Sequence, residues 1–124
     1  MRRLVLGVAL AAGAACAACA APPTYAVGVT PGPTPSAPAF AVPGATDGLY
    51  GLSVERCGGG GTMWAIGTGG GNVSRPASVV YGRAPDGWMT RAGPLPLVAG
   101  CYDVFASGGG VGRFTVRADG TLAP

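Results

Sequence analysis

The sequence predicts a small all-β sandwich or barrel filling roughly the last two-thirds of the chain. Three observations carry this. From residue 47 onward, short apolar runs alternate with Gly- and Pro-rich breaks at about ten-residue spacing. Within the runs, apolar and polar side chains alternate, which sorts them onto opposite faces of a strand. Gly is 24 of 124 residues and only 10% are charged, a composition that excludes helix bundles and coiled coils. At this length one domain is the limit.

From the N terminus, Met1-Arg2-Arg3 is positive, residues 4–15 are apolar and residues 17–21 are small. That is the order of a secretory signal peptide, here 1–21, and the apolar run is too short to cross a bilayer core of about 30 Å. "GAAC" ends at Cys16 and "CAAC" at Cys19. Each resembles the bacterial lipobox, in which a Cys after two small residues is lipidated once the signal is cut. Both differ from it in carrying Gly13 or Cys16 where Leu is usual. The resemblance implies a lipid anchor on Cys19, which a Pro-rich stretch follows, with Cys16 as the alternative. Ordinary cleavage after Ala20 would instead release a soluble protein. Several acyl chains would hold firmly, since each buried CH₂ contributes about 0.8 kcal/mol.

Residues 22–46 hold 7 Pro and no charged residue. Each Pro lacks a ladder donor and restricts the residue before it. The expectation is a disordered, polyproline-like tether reaching up to roughly 75 Å at about 3.1 Å per residue. The strand-like pieces 25–29 and 40–42 are the parts that could dock on the domain.

In the domain, 47–124, the expected strands are 49–57, 62–66, 77–81, 88–90, 101–106 and 112–117. Asp47-Gly48, the Gly runs 58–61, 69–71 and 108–110, Pro85-Asp86-Gly87 and Asp119-Gly120 separate them. "PDG" reads as the turn of a hairpin. The expected core is Tyr50, Leu52, Val54, Ile66, Val80, Leu97, Tyr102, Val104, Phe114 and Val116. "LVAGCY", residues 97–102, resembles the tyrosine corner of Greek-key sandwiches through Leu97, Gly100 and Tyr102. The resemblance implies a small Greek-key β-sandwich or Ig-like partial barrel. More broadly, residues 76–120 are similar to small exported bacterial β-domain proteins, a likeness that brings no activity with it.

A domain of this size buries about 60% of its unfolded surface, so a covalent staple is expected. After processing, Cys57 and Cys101 remain, and an oxidising compartment favours their disulfide. If their strands pair antiparallel with the two Cys opposite, Glu55 faces Asp103. Like charges so placed repel, and Arg113 and Arg117 on the next strand could neutralise them. A surface ion-pair row is the expectation, with acid–base work by the carboxylates as the alternative.

The chemistry expected is sparse. With no His, the commonest general base and non-sulfur zinc ligand are missing. The eight basic residues are all Arg, so P-loop and Schiff-base lysines are missing too. No metal site and no cofactor are expected. From Pro22 on, 6 Arg oppose 5 acids, a net of +1, which gives no footprint for nucleic acid. Trp64, Tyr81 and Trp88 are the candidate ligand surface, since aromatics on a sandwich face stack on sugars or anchor proteins. Core filling is the alternative. The expected protein is a non-enzymatic, exported, lipid-anchored envelope protein facing periplasm or cell surface, with a structural or binding role. Next comes a soluble periplasmic or secreted module for a glycan or protein, and third an undetected hydrolase relying on Glu55 or Asp103.

Overall fold

The structure, a computed structural model, describes residues 25–34, 36–42, 49–69 and 76–123. The signal segment with Cys16 and Cys19, the Asp47-Gly48 turn and Gly70-Gly71 lie outside the described residues. Among the described residues all regular elements are strands: β1 (Tyr25–Ala26), β2 (Gly28–Thr34), β3 (Ala37–Ala41), β4 (Gly51–Arg56), β5 (Thr62–Thr68), β6 (Ser78–Val80), β7 (Trp88–Ala92), β8 (Gly100–Ala106) and β9 (Gly110–Val116). They form a six-stranded sheet in the order β1-β9-β8-β4-β5-β7 and a three-stranded sheet β2-β3-β6. The fold is a small β-sandwich, as its alternating runs require.

Within the large sheet, β8-β4-β5-β7 has the spatial order of a Greek key, with β8 returning beside β4, but β5 and β7 are not joined by a hairpin. Between β5 and β7 the chain visits the small sheet as β6. The turn at Pro85 therefore closes no hairpin, because β6 and β7 lie in different sheets. It remains a β-turn, with Trp88 N–H donating to Pro85 O at 3.0 Å and Gly87 at φ 84°, the left-handed position that a Cβ would strain.

Residues 25–42 are not a tether. Val27, Phe40 and Val42 are buried, and the Phe40 ring lies 5.8 Å from that of Phe114, joining the two sheets. The proline objection fails for a local reason. Pro31 and Pro33 sit in β2, an edge strand, where the β2–β3 register shifts between Thr30 and Thr34. Pro38 faces that irregularity, and the β3–β6 ladder begins one residue later at Ala39. The missing donor therefore interrupts no ladder bond, and the Pro38 carbonyl accepts from Tyr81 N–H at 2.9 Å. Gly32 fits the same bend: a Cβ there would stand 1.7 Å from Ala37 O.

The core follows the expected alternation, with three corrections. Leu52, Val54, Ile66, Tyr102, Val104, Phe114 and Val116 are buried. Tyr50 precedes β4 and is 57% exposed; Val80 and Leu97 are half-buried. The tyrosine corner is formed, Tyr102 hydroxyl donating to Val98 O at 2.5 Å, with the ring stacked 5.3 Å from its cross-strand partner Phe114.

Candidate functional site

Trp64, Tyr81 and Trp88 are interior residues, which removes them as a ligand surface. In β5 the pairing passes from Val54↔Trp64 to Glu55↔Thr62, leaving Met63 as an extra residue. Met63 and Trp64 are consequently both buried. The Tyr81 ring meets the Trp64 ring edge-on at 5.2 Å. Its hydroxyl donates to Leu95 O at 2.6 Å and lies 3.3 Å from Met63 O. Burial, with a smaller contribution from Tyr102, pushes the Tyr81 hydroxyl up to about 12, against the lowering effect of its bond to Leu95. Trp88 opens β7 and is also buried. A domain this small has few large side chains and uses these to fill its interior. Trp64 Nε1 is a buried donor with no hydrogen-bond partner among the described residues.

At one end of the large sheet, Cys57 and Cys101 are joined as a disulfide, their Cα atoms 5.4 Å apart, and Cys57 N–H donates to Cys101 O at 3.1 Å. The register expected from that pairing holds: Glu55 lies directly opposite Asp103. Arg113, opposite Asp103 on the other side, answers the repulsion. Its Nε donates to Oδ1 at 2.7 Å and its Nη2 to Oδ2 at 3.3 Å. That hydrogen bonding, then the carboxylate charge, holds the guanidinium above its ordinary pKa. Arg117 does not join the row; its Nη1 lies 3.5 Å from Thr121 Oγ1. There Asp119 accepts from the Thr121 hydroxyl at 2.6 Å and its N–H at 3.0 Å, bonds that lower its carboxyl pKa. Such a row is the ion-pair arrangement expected of a solvated sheet face. Among the described residues no three metal-ligating side chains cluster.

Two surface features escaped the sequence reading. β1 pairs with β9 at Tyr25↔Gly110 and Ala26↔Val111, after which the chain leaves for the small sheet. The C-terminal tail returns to β9 at Val116↔Leu122. Between them lies an open groove of about 620 Å³ lined by Val27, Val29, Pro31, Arg113, Arg117 and Leu122. Val27 and Val29 gave a strand-like signal, but the prolines around them concealed it.

The second feature is an uncharged row across the outer sheet face. Val111, Phe105, Ser53, Ala65 and Ala92 lie in register across five strands. Phe105 is 40% exposed and Val111 46%. Tyr50 is exposed at the same end of the sheet, its backbone N–H bonded to Ser107 Oγ at 2.9 Å, while the Tyr25 hydroxyl donates to Ser107 O at 2.7 Å. Burial, and then the nearness of Tyr50, raise the Tyr25 pKa.

Comparison with protein-family profiles, with curated proteins and with solved structures found no match for this chain.

Proposed function

We propose that this chain is exported and held to a bacterial membrane by lipid on Cys19, its β domain serving a non-enzymatic binding or structural role in the cell envelope. The observation that carries this reading is the order of the N terminus: paired Arg, an apolar run, then Cys16 and Cys19, each after two small residues. A Cys57–Cys101 disulfide suits the oxidising side of a membrane. The absence of His and Lys from the sequence supports a role without catalysis.

The test is fractionation of a diderm bacterial host expressing the full chain. The native chain should stay with membranes through an alkaline carbonate wash. Cys19→Ser should move it to the soluble fraction, while Cys16→Ser should leave it membrane-bound. The reverse pattern would assign the anchor to Cys16. A native chain found wholly in the soluble fraction would overturn the anchor in favour of a released periplasmic or secreted protein.

A further inference from the structure

We infer that the half of the outer sheet face at the end where the chain enters the domain rests on the interfacial region of the lipid bilayer that holds the anchor. The inference builds on lipidation at Cys19 and adds an orientation to it.

Chain length supplies the first argument. Tyr25 is already paired to Gly110 in the large sheet, so six residue steps separate it from Cys19. At no more than about 3.6 Å per step, the lipidated residue lies within about 22 Å of Tyr25. Lipidation at Cys16 would extend this to about 30 Å. Either limit holds the entry end close to the headgroups, where a tether running to residue 46 would have freed it.

The second argument is the distribution of polarity along the strands. The row Val111–Phe105–Ser53–Ala65–Ala92 carries no charge. Two residues further from the entry end, the corresponding positions are Arg113, Asp103 and Glu55. Exposed Phe105 and Val111 lie in this row, and Tyr50 is exposed at the same end of the sheet, its backbone N–H bonded to Ser107, whose carbonyl holds the Tyr25 hydroxyl. Tyr and other amphipathic rings are favoured at headgroup depth, where one end is apolar and the other wet. Arg91 lies over Gly67 within this half, its Nη2 3.4 Å from Thr68 O, and its charge suits lipid phosphates. Leu95 and Val98, exposed to a similar degree, belong to the opposite end: Leu95 N–H bonds Met63 O, and Val98 precedes the disulfide-bearing β8.

Hydroxyl-radical footprinting of the full mature chain tests the inference. The lipidated protein would be placed in vesicles of phosphatidylethanolamine and phosphatidylglycerol, after its intact mass has established the anchor. Its labelling would be compared with that of the lipid-free full chain carrying Cys16→Ser and Cys19→Ser. The expected result is several-fold lower labelling of Tyr50, Phe105 and Val111 on vesicles, with Leu95 and Val98 unchanged. A lipidated chain labelled equally at both ends would overturn the docking and leave the anchor standing. A mature chain without lipid would overturn the anchor and the docking together.

Discussion

The Tyr102 hydroxyl reaches back four residues to the Val98 carbonyl and fixes the approach to β8. Tyr102→Phe keeps the buried ring and removes that bond, so it should cost about 1–2 kcal/mol in urea unfolding at an unchanged m-value. Tyr81 makes a separate prediction through pH. Its folded pKa of about 12 lies above the ordinary value of 10.0, so the folded protein retains a proton that the unfolded chain loses first. The stability this confers is complete below pH 10.0 and is lost as pH rises through about 12. The urea midpoint should fall across that window, and Tyr81→Phe should flatten the fall, leaving the smaller contribution of Tyr25, which has the same sign. An equal fall in the variant would contradict the assignment to Tyr81.

At the scale of elements, the decisive segment is β1–β3. Phe40 is fully buried between the sheets, so Phe40→Ala should cost about 3–5 kcal/mol by thermal or urea unfolding. A change within about 0.5 kcal/mol would restore the tether reading of residues 22–46. The strands from β4 to β9 were legible because their alternation is regular and Gly-rich turns punctuate it. Pairing Cys57 with Cys101 also set the β4–β8 register in advance. β1–β3 were obscured because Pro composition argues against a strand in general, whereas Pro31, Pro33 and Pro38 occupy the particular edge and bulge positions where a missing donor is harmless. The bulge at Met63 was equally hidden: strict alternation buries Met63 or Trp64, and the structure buries both.

For the whole molecule, the disulfide spans 44 residues and ties β4 to β8. Its reduction should lower stability by about 4 kcal/mol in the chain-entropy model, read as a shift in urea midpoint with and without reductant. The candidate site divides in the same way as the fold. The Glu55–Asp103–Arg113 row was legible from strand register, whereas the exposure of Trp64, Tyr81 and Trp88 was not. An aromatic residue carries the same letter on a binding face and in a core, and the packing needs of a small domain decide between them. With residues 25–42 folded into the sandwich, the domain stands within a few residues of Cys19. On the reading proposed above, the mature N terminus governs both where the protein resides and which face it turns to its surroundings. The most direct measurement is the intact mass of the mature chain from membrane and soluble fractions of a diderm bacterial host. The account predicts a membrane-bound species beginning at Cys19 with added lipid mass. An unmodified species beginning near Ala21, recovered from the soluble fraction alone, would contradict it.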